Sequence, residues 1–188
     1  MVDLELNGAN TSRLALAHRR KDVHVINQAI RQARKSSGDL TEETLIQTDH
    51  GKRAFAEGDR IVFTQNDPLL GVRNGMLGTV KAITNDEIKV QLDGEPPKTI
   101  ILNPNHFTVF DHGYATTIHK SQGVTVDRSY VLVSPTMDRH LTYVAMTRHK
   151  EDVKLFGDSK CFQKTEATKT QKIKSIDLKK TVTNQRLQ

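Results

Sequence analysis

The stretch that most constrains this chain is Gly113-Tyr-Ala-Thr-Thr-Ile-His-Lys-Ser-Gln-Gly-Val-Thr-Val-Asp127. Tyr114, Ala115 and Ile118 fall at i, i+1 and i+4, the spacing of one helix face. From Thr116 to Gln122 every residue but Ile118 carries a hydrogen-bonding side chain. Gly123 stands where a C-cap glycine would end a short helix. A second helix is expected over Arg139 to Lys150, where Leu141, Val144, Ala145 and Arg148 share a face at i, i+3, i+4 and i+7. Tyr130 to Val133 reads as an apolar strand between the two. Helix, strand and helix with polar ends on one edge is how an open sheet builds a phosphate-handling rim. An arginine on an apolar face needs an anionic partner, because an unpaired buried charge is costly. A phosphate would serve.

At these residues the chain resembles a known family. Thr117-Ile-His-Lys-Ser-Gln-Gly123 is similar to motif V of superfamily-one DNA helicases, and Tyr143-Val-Ala-Met-Thr-Arg148 to their motif VI. The two stand in the family's order, about 25 residues apart. His119-Lys-Ser-Gln-Gly123 points to the RecD-like branch, and within it to the TraA-type conjugative relaxase-helicases. The resemblance implies an α/β fold: a RecA-like second helicase domain with an inserted SH3-like small β-barrel. It implies that Arg148 is the catalytic arginine finger, reaching a γ-phosphate across an interdomain cleft. Gln122 and Gly123 would lie at the nucleotide, and Thr117, His119 and Lys120 on the phosphate backbone of single-stranded DNA. The RecD-like branch implies 5′-to-3′ movement. Many members place an acid two residues after the motif V glycine, where it meets the ribose; here that position is Thr125, so that contact lacks its usual group.

The remaining segments fit this frame. Leu14 to Ala17 reads as a short buried strand, Asp22 as the N-cap of a helix, and Val23, Ile26, Ile30 and Ala33 as its apolar face. The basic loop His18-Arg-Arg-Lys21 lies where open sheets bind anions. It resembles helicase motif IV, which assigns Arg19 to the nucleotide with Arg20 as the reserve. From Leu45 short β-type runs take over: Ile61–Phe63, Leu77–Ile83, Ile88–Leu92, Thr99–Leu102 and Phe107–Phe110, separated by turn residues such as Asn74-Gly75 and Pro96-Pro97. Gly58-Asp59-Arg60 and Leu77-Gly-Thr-Val80 resemble the barrel inserted in RecD-like helicases. The expected division is a RecA-like part over 1–50 and 111–159, a barrel over 51–110, and a basic tail over 160–188. That tail carries seven lysines and Arg186 against Glu166 and Asp177, a balance equal to the +6 of the whole chain. It is read either as a solvated or disordered tail or as an end that attracts nucleic acid.

What the sequence lacks is equally informative. No Gly-x-x-x-x-Gly-Lys-[Ser/Thr] loop occurs in the chain, and phosphoryl transfer needs such a cradle together with a metal. ATP with magnesium therefore belongs to the complete enzyme, and none is expected on this chain alone. The implied partners are single-stranded DNA and an N-terminal motor domain that carries the P-loop. No histidine spacing suggests a metal site. A membrane span is excluded by the absence of a long apolar run, and the single Cys161 fits a reducing cytoplasm. Three functions follow as expectations: a helicase fragment, a stand-alone single-stranded-DNA-binding module, or a remnant without catalysis.

Overall fold

The structure, a computed structural model, describes residues 12–40, 42–94, 96–158 and Cys161. Its elements run β1 (Arg13–Ala17), α1 (Arg20–Ser36), β2 (Glu43–Thr48), β3 (Gly51–Ala56), β4 (Arg60–Phe63), β5 (Leu77–Ile83), β6 (Ile88–Leu92), β7 (Lys98–Leu102), β8 (Phe110–His112), β9 (Ala115–Thr117), β10 (Val126–Leu132), α2 (Arg139–Met146) and β11 (His149–Phe156). The basic tail, apart from Cys161, lies outside the described residues.

Leu14 to Ala17 are buried without interruption, the signature of a parallel strand covered on both faces. β1 pairs in parallel with β10 on one side and β9 on the other, and β11 extends the sheet beyond β10. The order is β11-β10-β1-β9. α1 packs on β1 and β9. Its N-cap is Arg19, without a side-chain cap; Asp22 sits in the first turn instead of capping it. The helix face also differs from expectation. Val23, Ile26 and Ile30 are half-buried and Ala33 is exposed, while the one fully covered residue is Asn27.

The expected helix over 114–122 is not formed. Ala115–Thr117 is strand β9, in register with Ala15–Ala17 of β1. Residues 118–123 are then hydrogen-bonded turns: Ser121 N donates to Thr117 O at 3.0 Å and Val124 N to Ser121 O at 2.9 Å. Gly123 keeps the role of a stop, with φ +85°. Two physical reasons decide it. The β-branched pair Thr116-Thr117 favours strand, and a stretch this short cannot support a helix nucleus without tertiary help. α2 forms as expected but ends at Met146. Asp138 caps it by accepting from Leu141 N at 2.7 Å, and β11 then starts at His149.

Between α1 and β9 the chain is antiparallel. β2 and β3 form a hairpin, so this part begins at Glu43, inside the segment assigned to the RecA-like half. A five-stranded sheet of order β7-β6-β5-β4-β8 follows. Its last strand is Phe110–His112, three residues later than expected. Phe55, Phe63, Phe110, Ile61, Val80 and Val90 form its core. A second core lies on the parallel sheet, built from Leu14, Leu16, Ile118, Val131, Leu141 and Val144. β4 serves both. Ile61 and Phe63 point into the first core and Val62 into the second, as strand alternation dictates. Gly113 makes the join possible: a Cβ there would lie 2.4 Å from the Ile61 carbonyl carbon.

Candidate functional site

Parallel strands give the sheet two distinct ends. Ligands of open α/β sheets gather beyond the carboxyl ends. Here that end carries His18 and Arg19 after β1 and the Ile118–Gly123 turn after β9. His18 and His119 bring their rings within 6.2 Å of each other, and His18 Nδ1 hydrogen-bonds Thr136 Oγ1 at 2.9 Å. Beside this end, a groove of about 1150 Å³ runs between α1 and the β2–β3 hairpin. Thr117 and Lys120 line it, as do Arg20, His24, Lys52 and Arg53. Arg53 is paired with Asp111 at 3.7 Å. Arg20, Lys52 and Lys120 have no carboxylate within ion-pair distance among the described residues, so the groove is net positive.

The motif strand is held in place by Asn27. Its Oδ1 accepts from Tyr114 N at 3.0 Å and Ala115 N at 2.9 Å, and its Nδ2 donates to Ala115 O at 3.1 Å. β9 is an edge strand, and one side chain from α1 thus supplies hydrogen bonds to its open side. Tyr114 is held at its other end too. Its hydroxyl donates to Asp59 Oδ1 at 2.6 Å and accepts from Arg34 Nη1 at 3.1 Å. Burial, with Asp59 adding to it, pushes the phenol well above its ordinary range.

The predicted residues divide between the two ends of the sheet. Thr117 is buried, and its Oγ1 accepts from Lys120 N at 3.3 Å. Lys120, His119, Gln122 and Gly123 are exposed. Arg148 lies at the opposite, amino end, where its carbonyl accepts from Val126 N at 2.9 Å. Its guanidinium folds back on the end of α2: Nε donates to Val144 O at 3.0 Å and Nη2 to Thr147 Oγ1 at 2.9 Å. No carboxylate pairs with it among the described residues. Arg19 does not join it. Ala17 is in register with Leu132, six residues up β10 from Val126, so about 20 Å of strand separates the two arginines. Arg19, expected at the nucleotide, sits at the groove end of the sheet. The turn 118–125 links the ends, leaving the groove at Thr117 and rejoining the sheet at Val126.

Sequence reasoning missed Asn27, Arg31, Arg34 and Asp59 as parts of this site. The first three follow Val23 at i+4, i+8 and i+11, one helical stripe, but polar residues on an inward stripe give no apolar periodicity to read.

A family model described as the viral superfamily 1 RNA helicase core domain matches residues 58–157. The chain is 47% identical over 150 residues to the conjugal transfer protein TraA of Agrobacterium fabrum, which covers 79% of this chain and 14% of that protein. It is 34% identical over 106 residues to the ATP-dependent DNA helicase Pif1 of Bdellovibrio bacteriovorus, covering 48% of this chain and 24% of that one. The chain thus spans a small part of the relatives that it matches. Among solved structures, Pif1 helicase from Bacteroides in complex with ADP-AlF3 and single-stranded DNA shares the fold with a TM-score of 0.56 at 21% identity, over 87% of this chain and 47% of that one. Pif1 helicase from Candida albicans does so with a TM-score of 0.55 at 16% identity, over 84% and 50%.

Proposed function

The chain belongs to the family of the superfamily 1 helicase core domain, and on that premise we propose that it is the second motor half of an ATP-dependent DNA helicase of conjugal transfer. In this reading the groove takes the phosphate backbone of single-stranded DNA through Thr117 and Lys120, with His119 beside them. Phosphate contacts hold any sequence equally. Arg148 is the arginine finger, turned toward a γ-phosphate on a separate P-loop domain, and Gln122 and Gly123 lie between the two sites. The chain supplies no cradle of its own, so ATP and magnesium are bound by the complete enzyme. Residues 51–110 are read as the SH3-like barrel, since short antiparallel strands surround a phenylalanine-rich core there. The RecA-like part is 1–50 with 111–159, and the basic tail 160–188 adds charge for nucleic acid. The resemblance to RecD-like helicases supports movement 5′ to 3′, and the similarity to conjugal transfer proteins supports a place in the cytoplasm.

One observation carries this reading: a single turn of the chain connects the basic groove with the end of the sheet that holds Arg148. A labelled oligothymidylate tests it. Binding should fall as salt rises, and Thr117→Ala with Lys120→Ala should weaken it about tenfold, at roughly 0.7 kcal/mol or more per lost contact. Binding that is indifferent to both changes and lost only on removal of residues 160–188 would assign it to the tail. Arg148→Ala should leave DNA affinity unchanged, yet lower ATP turnover by about 10³ once a P-loop domain is supplied. Turnover by this chain alone would contradict the division of labour.

A further inference from the structure

Asp59 is a carboxylate with no solvent exposure, in the turn between β3 and β4. Burying such a group is expensive unless every lone pair finds a donor. It finds them on three different elements. Ala56 N, at the end of β3, donates to Oδ2 at 2.7 Å. Tyr114 Oη, at the entry to β9, donates to Oδ1. Arg31, on α1, donates through Nε at 3.1 and 3.2 Å and through Nη2 at 3.1 Å. Arg31 also reaches Glu43 Oε1 on β2 at 2.7 Å. α1 and the β2–β3 hairpin are the two walls of the groove, and Arg31 lines it. A buried ion pair yields little net stability over an apolar contact of the same size. What it fixes is geometry.

We propose that Asp59 is a positioning residue for the groove: it ties α1, the hairpin and the strand that delivers Thr117 into one unit and sets the distance between the groove walls. Electrostatics alone makes the opposite prediction. Replacing a carboxylate by an amide raises the net charge by one, which favours nucleic acid. A positioning role makes the same change harmful.

The test has two arms. The first needs no DNA. Spin labels on Gln28→Cys and Lys52→Cys, with Cys161→Ser, measure the distance across the groove. A single narrow distribution is expected, broadened by Asp59→Asn; an unchanged distribution overturns the proposal. The second arm rests on the nucleic-acid reading above and uses the unlabelled chain with a fluorescein-tagged oligothymidylate. Asp59→Asn should weaken binding about tenfold without changing the salt slope, because no phosphate-contacting cation is lost. Equal or tighter binding overturns the proposal. If Asp59→Asn does not fold, Tyr114→Phe decides both arms, since it removes one donor and keeps the Arg31 pair. Wild-type distance and affinity in that variant overturn the idea. A wild-type chain that binds no DNA sinks the nucleic-acid reading instead and leaves the distance arm to judge the clamp.

Discussion

Asn27 shows how much a single buried amide can control. Three backbone groups of Tyr114 and Ala115 depend on it. Asn27→Ala leaves all three without a protein partner at a buried edge, and orphaned groups cost about 1–3 kcal/mol each. The expected loss is about 3 kcal/mol, read from the urea midpoint. Amide exchange should accelerate at Tyr114 and Ala115 ahead of the rest of the sheet. Loss spread evenly over the sheet would mean that β9 does not depend on this clamp. The residue scale is also where the sequence was least legible. Thr117, Lys120 and Arg148 stood out because they sit in motif-like strings. Asn27 and Asp59 did not, since a polar residue in a core leaves no periodic trace. Which end of the sheet Arg148 occupies depends on parallel register, and that is a tertiary fact.

Among elements, β1, β10 and both helices are readable from apolar runs and helical spacing. The segment 114–118 is not. Three apolar positions within five residues fit a helix turn or a strand with a following turn equally well, and pairing with β1 decided between them. The β2–β3 hairpin was missed because Leu45 and Ile46 are adjacent. One is exposed and the other buried, so the alternation is hidden. This hairpin is tied to β8 through His112, whose Nε2 donates to Ala54 O at 3.0 Å while its ring lies 4.6 Å from that of Phe55. Burial holds the imidazole below the ordinary histidine range, against opposing pulls from the Ala54 carbonyl and Asp59. The unfolded chain therefore takes up a proton first. Stability is fully present above the ordinary value near 6.5 and is lost as pH falls below it. The melting temperature should drop between about pH 7 and pH 5. His112→Gln should flatten that slope, and a slope that persists would place the titration elsewhere. Glu43, held low by the hydrogen bond from Lys35, and Asp127, held low by Ser12, add their own loss only below about pH 4.5.

At the level of the molecule, the change from α/β to β and back was legible, because turn residues and short β-type runs cluster between residues 45 and 110. Its edges were not, since pairing rather than composition fixes them at Glu43 and His112. The two parts also share residues. Val62 and Leu77, from β4 and β5, pack with Ile118 and Leu141. Calorimetry should therefore record one transition, with calorimetric and van't Hoff enthalpies in agreement. Two resolved transitions would show the parts to be independent. Gly113→Ala should lower that single transition by about 3 kcal/mol, because the new methyl meets the Ile61 backbone, which has no room to yield.

The alternation along β4 also bears on any attempt to transplant the antiparallel segment between β2 and β8. Exchanging it for the corresponding piece of a relative swaps Val62 and Leu77 along with the rest, and these two fill space beneath Ile118 in the neighbouring layer. A graft chosen only for its own interior would leave a hollow under the turn that begins at Ile118. Successful chimaeras should be those whose donor brings side chains of matching volume at these two sites.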